Sequence, residues 1–241
     1  MDNAVQQKNG NLPLVQLRPI TPPTVADHVF EELHANILSL ALPPRTKISE
    51  AEVAKKMGVS RQPVREAFKR LAKLGFLLIR PQSSTTVSLI SEKAVLQARY
   101  IRAALEIQTC RTACEKIDAD GLSALWSLID QQRVAVGQND RKKFHALDDQ
   151  FHREICMRSD LDYVWDLIHE SKGHMDRIRM LSLTTSSQRL ALEEHVKLIN
   201  AISARDANAA AACITAHLNR ILILIEQMKT ENHNWFTDAS D

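Results

Sequence analysis

Gly58-Val59-Ser60-Arg61-Gln62-Pro63-Val64-Arg65-Glu66-Ala67-Phe68-Lys69-Arg70-Leu71 is the stretch that decides how the first third of the chain folds. Glycine adopts the left-handed conformation that ends a helix at little steric cost, so Gly58 reads as a C-cap. Ser60 then reads as the N-cap of a new helix, and Pro63 is tolerated in its first turn. Val64, Phe68 and Leu71 form an inward stripe, while Arg61, Gln62, Arg65, Lys69 and Arg70 form a polar, cationic outer side. Just upstream, Ser49-Glu50-Ala51-Glu52 matches a capping box and starts a short helix through Val53, Ala54 and Met57. Two helices joined by a turn this tight make a helix-turn-helix, with residues 60–74 as the recognition helix. In that geometry the first residues of the second helix meet base edges in the major groove, where Arg pairs with guanine and Gln with adenine.

Moving outward, Thr24 to Leu40 carries a helical stripe at Val25, Val29, Leu33 and Ile37, stopped by Pro43-Pro44. Phe76 to Arg80 and Thr85 to Leu89 read as two short strands around Pro81-Gln82-Ser83-Ser84, a small hairpin wing. Beyond Pro81 the chain contains no proline, and Gly121, Gly137 and Gly173 are its only glycines. Such a stretch lacks the residues that shape hairpins and break helices, which excludes a sandwich or barrel and favours a helical domain. The expected class is mainly α: a winged helix-turn-helix over 23–90, then an all-α antiparallel helical bundle over 91–232. An arm over 1–22 and a tail over 233–241 are expected to be mobile.

Charge follows the same division. Residues 23–90 hold ten Lys/Arg against six Asp/Glu, whereas residues 91–241 hold 19 against 22. A basic small domain beside a slightly acidic larger one suits a polyanion at the first. Four cysteines in 241 residues make no disulfide framework and read as reduced thiols of a cytoplasmic protein. No run of about 18 apolar residues predicts a membrane span, and the polar N-terminus lacks a signal-peptide layout.

In the second domain helices are expected over roughly 91–116, 121–136, 140–157, 161–184, 188–204 and 206–231, with Ser91 capping the first. Asp148 and His152 lie four residues apart on one helix face, and His195 and His217 fall on two other helices. One carboxylate and three imidazoles from three helices can converge on a divalent cation, and mixed N/O ligation suits zinc, nickel, manganese or iron. His145 and Asp149 lie on the same helix as substitutes should the register differ, and spacing alone also permits solvated or core histidines.

The quoted stretch, followed by Gly75-Phe76-Leu77 and preceded by Ile48-Ser49-Glu50 and Val53-Ala54, resembles the winged-helix signature of GntR-type bacterial transcription regulators. The resemblance implies DNA contacts at Ser60, Arg61, Gln62 and Arg65, and Lys69 joins them on the outer face. Two positions depart from the pattern: Pro44-Arg45 stands where Pro-Gly is usual, and Ser83-Ser84 replaces Arg-Gly at the wing tip. Asp148-Asp149-Gln150-Phe151-His152, Glu194-His195 with Ile199 and Ala201-Ile202, Ala216-His217-Leu218 and Tyr100 to Glu106 are similar to elements of the FadR subgroup's FCD-type ligand-sensing domain. That likeness implies a metal, zinc first, held by Asp148, His152, His195 and His217. It also places Arg102 toward an effector cavity, with Arg177 and Arg179 as further anchors for a small carboxylate.

The resulting expectation is a homodimeric regulator, a repressor, that reads a pseudo-palindromic operator in double-stranded DNA. Its affinity is set by a small organic or sugar acid at the metal site, and no membrane is involved. A metal-dependent hydrolase and a metal-only sensor are the alternatives. Four protein ligands exceed the three usual for catalytic zinc, and no nucleophile motif accompanies them, so an enzyme is not expected.

Overall fold

The computed structural model describes residues 23–80 and 84–237. The expected N-terminal arm, wing residues 81–83 and the last four tail positions lie outside the described residues.

Helix α1 (Val25–Leu38) opens on a complete capping box between Thr24 and Asp27, with bonds of 2.8 and 3.2 Å. Helix α2 (Glu50–Met57) starts where Ser49 Oγ accepts the Glu52 amide at 3.1 Å, the only half of the predicted box that forms. Gly58 ends it at φ 68°. Helix α3 (Arg61–Lys73) follows with Ser60 in the N-cap position. The expected cap bond is absent, so the Ser60 hydroxyl stays free at the exposed start of this helix. Val29, Leu33, Ile37, Val64, Phe68 and Leu71 close the head's core from α1 and α3.

The wing differs from a two-stranded hairpin. Strands β1 (Lys47–Ile48), β2 (Leu77–Leu78) and β3 (Thr85–Val87) form an antiparallel sheet in the order β1-β3-β2. The third strand arises because the Arg45 amide donates to Val87 O and the Val87 amide to Thr46 O, both at 2.9 Å. Arg45 sits at φ 70°, where the resemblance leads one to expect glycine. A left-handed non-glycine residue carries a cost of roughly 1–2 kcal/mol. Here the Arg45 Nε donates to the Asn234 carbonyl at 2.8 Å, a contact glycine cannot make.

The second domain contains helices α4 (Glu92–Lys116), α5 (Ala119–Gly137), α6 (Arg141–Arg158), α7 (Asp162–Ser171), α8 (Gly173–Ser182), α9 (Thr185–Ser203) and α10 (Ala207–Glu231). Ser91, Asp118, Asp140, Thr184 and Asp206 cap five of them with their side chains. Leu125, Ile129, Phe151, Ile155, Ile199 and Ile214 are fully buried among them. The single helix expected over 161–184 is two, broken at Lys172. That side chain is pulled inward by Asp149 and Asp176, and Gly173 presses against the head, where a Cβ would lie 2.8 Å from the Phe76 ring. Helix α10 is long and apolar enough to cross a membrane by length and composition, with a mean hydropathy of 1.4 over its most apolar part. It nevertheless packs lengthwise on α4 and α9 and carries His217 and Arg220.

The tail is not free over its described part. A single 3-10 turn (His233–Trp235) leads to Phe236, which is only 6% exposed. The Ile90 amide donates to Trp235 O at 2.8 Å and the Thr237 amide returns to Ile90 O at 3.1 Å. These bonds tie the chain's end to the linker between the domains. Phe236→Ala is expected to cost about 3 kcal/mol by leaving a cavity beside Ile90 and Val95, read as a lower urea midpoint.

Helix α8 also touches the head. His174 Nε2 bonds to the Leu74 carbonyl at 2.9 Å, and its ring stacks on Phe76, which meets His34, which stacks on Phe30. Burial in this aromatic row lowers the His34 pKa from 6.5 to about 4. Between those values the unfolded chain binds the extra proton and the folded one does not, so stability falls as pH drops. The slope is at most about 1.4 kcal/mol per pH unit. His34→Phe should lose less stability than the parent between pH 7 and pH 5 in urea titrations.

Candidate functional site

Two sites are built on this frame. On the head, Ser60, Arg61, Gln62, Arg65 and Lys69 are all exposed along one side of α3. Val64, Ala67, Phe68 and Leu71 anchor the opposite side in the core, so the outer side is held rigidly outward. Arg65 grips Glu50 with Nε and Nη2 at 3.1–3.3 Å, and Arg61 lies 3.6 Å from the same carboxylate. Glu50, read from the sequence only as part of a capping box and the family signature, therefore pre-orients two cations that a phosphate or a base can draw away. The Arg65 contact holds the Glu50 carboxyl below its usual range.

Inside the helical domain Asp148, His152, His195 and His217 come together, with one donor atom of each within 4.8 Å of the others. They come from α6, α9 and α10. Asp148, His152 and His195 are at most 2% exposed, and the His217 side chain is 9% exposed. Each imidazole is oriented through its other nitrogen. His152 Nδ1 donates to Glu106 at 2.7 Å, His217 Nδ1 donates to Glu194 at 2.8 Å, and His195 Nδ1 meets Gln132 Oε1 at 2.9 Å. The amide of Gln132 is itself fixed, because its Nε2 donates to the Leu147 carbonyl at 3.1 Å. Its oxygen must then accept, so His195 carries its proton on Nδ1 and offers a lone pair at Nε2.

The inward atoms are left over. Asp148 Oδ1, His152 Nε2 and His195 Nε2 are buried with no hydrogen-bond partner among the described residues, while Asp148 Oδ2 is met by Arg179. Buried polar groups are nearly always paired, and three converging orphans mark a place for a ligand. Burial raises the Asp148 carboxyl, but the Arg179 guanidinium against it outweighs that push and holds it well below the usual range. Burial, with His217 beside it, pushes the His195 imidazole well down, into its neutral form. An ionised carboxylate and lone-pair nitrogens, each oriented from behind, form the donor set of a first-row divalent cation. His145 and Asp149, the register alternatives, lie instead near Asp176 in a separate group.

A small cavity of about 40 Å³ adjoins this cluster, with His217, Arg102, Arg179 and Arg220 in its wall. Arg102 is 1% exposed, donates to Glu106 at 2.6 Å and keeps its Nη2 unpartnered. Arg179 lies against Asp148. Arg177 does not belong here. Its guanidinium leaves the cavity and donates to the Ser88 carbonyl at 2.8 Å, so it holds the linker. Arg220, missed in the sequence, takes its place in the wall, donating to Glu194 at 3.0 Å and to Ser187 at 3.2 Å.

Residues 25–87 match the family described as "Bacterial regulatory proteins, gntR family", and residues 97–220 match the "FCD domain". The chain belongs to the GntR family. It is 34% identical over 224 residues to the HTH-type transcriptional repressor RspR of Escherichia coli, covering 92% of this chain and 97% of that protein. It is 30% identical to a probable D-xylose utilization operon transcriptional repressor of Paenarthrobacter nicotinovorans, covering 83% of this chain and 88% of that one. The solved structure of E. coli McbR/YncC shares the fold at TM-score 0.72 and 22% identity, over 85% of this chain and 98% of that one. This GntR-family chain is a DNA-binding transcription regulator, and its relatives are regulators rather than enzymes, which removes the hydrolase alternative.

Proposed function

We propose that this regulator is a homodimeric repressor whose operator affinity is controlled by a small carboxylate bound beside a divalent metal. The observation that carries the reading is the set of buried, unpartnered atoms on Asp148, His152 and His195, which a hydrogen-bonding network alone leaves unsatisfied. Zinc fits the three-imidazole, one-carboxylate set best, with nickel, manganese and iron as the alternatives. When bound, the metal supplies open coordination positions for an anion. Glu106, Gln132 and Glu194 hold the imidazoles, and Arg102, Arg179 and Arg220 offer donors to a carboxylate.

Charge supports the same ligand class. The connected network holds five carboxylates (Glu106, Asp148, Asp149, Asp176 and Glu194) against four cations (Arg102, Lys172, Arg179 and Arg220). Counted without the imidazoles, it carries one surplus negative charge. A divalent cation converts that into one surplus positive charge, which a single carboxylate cancels. Buried charge is stable only when paired, so metal and monoanion complete each other here.

Dimerisation rests on the half-site logic of a single recognition helix and on an apolar face. Leu96, Tyr100 and Ile101 on α4 and Leu222 and Ile223 on α10 are exposed, Tyr100 and Ile223 each to 72%. Arg99 to Asn219 and Lys229 to Glu92 pair the two helices antiparallel, so Leu96 and Leu222-Ile223 fall in one stretch. A second copy of the chain is the partner this face fits. A regulator reading chromosomal DNA works in the cytoplasm, and the operator it reads is pseudo-palindromic double-stranded DNA.

On the head, Ser60, Arg61, Gln62, Arg65 and Lys69 are proposed to meet the operator. Arg61→Ala should weaken binding to the chain's own promoter by about 1–3 kcal/mol and relax sequence preference, measured by fluorescence anisotropy at fixed salt. Equal affinity of the parent for promoter and random duplex contradicts the reading.

A further inference from the structure

We propose that Glu50 is a positioning residue for base reading: it holds Arg65 by one edge of the guanidinium so that another edge is presented to a guanine. The proposal rests on the DNA-contact reading of α3 above and says how one of those contacts is prepared.

A guanidinium carries five N–H donors in one fixed plane. Arg65 spends the edge formed by Nε and Nη2 on Glu50, with contacts of 3.1–3.3 Å to the two carboxylate oxygens. The edge formed by Nη1 and Nη2 keeps one hydrogen on each nitrogen and is not otherwise paired among the described residues. Two parallel donors are what O6 and N7 of guanine accept. A carboxylate and a guanine can therefore share this arginine, so Arg65 need not leave Glu50 in order to read.

The tie crosses the turn between the two helices. Glu50 is the first residue of α2, where the Ser49 cap fixes its place, and its side chain is partly buried. Arg65 stands 15 positions later on α3, beside the anchoring Val64. The carboxylate thus sets the guanidinium relative to the whole helix-turn-helix rather than along α3 alone. Ordering a long side chain at an interface costs free energy, and here that ordering precedes contact with DNA. Arg61, one turn earlier, meets Glu50 only at 3.6 Å and is not held in this way. Gln62 repeats the arrangement on a smaller scale. Its Nε2 donates to Glu66 Oε1 at 3.1 Å, which leaves the amide oxygen and a second Nε2 hydrogen for N6 and N7 of an adenine.

The sign of the effect separates positioning from plain charge. An acid near the phosphates repels every duplex, so its removal by itself tightens binding to promoter and random DNA alike. Loss of positioning acts the other way, and on the promoter alone.

Anisotropy at fixed salt should compare Glu50→Ala, Arg65→Ala and the double variant on the chain's own promoter and on a random duplex, with urea midpoints checking that each is folded. Glu50→Ala is expected to weaken promoter binding about fivefold, to leave random-duplex binding equal or tighter, and to add nothing in the Arg65→Ala background. Glu50→Gln, which keeps the shape and one acceptor oxygen, should fall between Glu50→Ala and the parent. Promoter affinity that is unchanged, or that rises in step with random-duplex affinity, overturns the proposal. A Glu50→Ala loss of the same size in the absence of Arg65 overturns it as well. An Arg65→Ala protein that binds the promoter as the parent does overturns the DNA contact of Arg65 itself, and the proposal with it.

Discussion

His195→Ala is expected to abolish tight metal binding, and Gln132→Ala to weaken it by about 10–100-fold although Gln132 touches no metal. The two variants fail for different reasons. His195 offers Nε2 to the cluster, whereas Gln132 holds the His195 ring and fixes its proton on Nδ1 through the 2.9 Å contact. Gln132→Glu, which still accepts the Nδ1 proton, should recover part of the loss. Zinc affinity measured by competition with a chromophoric chelator reads all three variants. A Gln132→Ala protein with unchanged affinity would show that the ring is held by packing on Phe151 alone, which stacks on it at 4.4 Å.

The second large effect falls on Arg102. Glu106 is 3% exposed, and it is held ionised by Arg102 and His152 against the opposing push of burial. Arg102→Ala strips this buried carboxylate of its cation, at a cost of about 3–5 kcal/mol in unfolding free energy. The double variant Arg102→Met with Glu106→Gln should recover much of that stability, because removing both charges avoids the unpaired one. Carboxylate binding should stay lost in the double variant, since the unpartnered Nη2 donor is gone. Urea unfolding and calorimetry on the same proteins separate the stability role from the ligand role.

Much of this architecture was legible in the residues. Gly58, Ser49 and the Val64-Phe68-Leu71 stripe place the helix-turn-helix because capping and periodicity are local. The Asp148-His152 pair was legible for the same reason, His195 and His217 were candidates from their places on two other helices, and the family likeness joined the four into one ligand set. Gln132 was passed over although a signal existed. It stands in the buried stripe Leu125, Ile129, Gln132, Val136, and a neutral amide in such a stripe needs a reason to be there. Arg220 follows His217 by one helical turn on α10 and so shares its side. Arg177 and Arg179, in contrast, could not be told apart by spacing. Which of them enters the cavity depends on how α8 is set after the break at Lys172, and that break comes from Asp149 on another helix. The third wing strand and the docked Phe236 were invisible because two-residue strands and a lone aromatic are fixed only by distant partners.

The central claim is that metal and carboxylate together set the affinity for DNA. Anisotropy of a labelled promoter duplex should be titrated with zinc-loaded and chelated protein, each with and without the carboxylate that binds most tightly in calorimetry. The account predicts that the carboxylate changes the DNA Kd by about fivefold or more in the zinc-loaded protein, a coupling of roughly 1 kcal/mol or above, and leaves the chelated protein unchanged. An identical Kd under all four conditions, or a carboxylate effect that survives chelation, would contradict it.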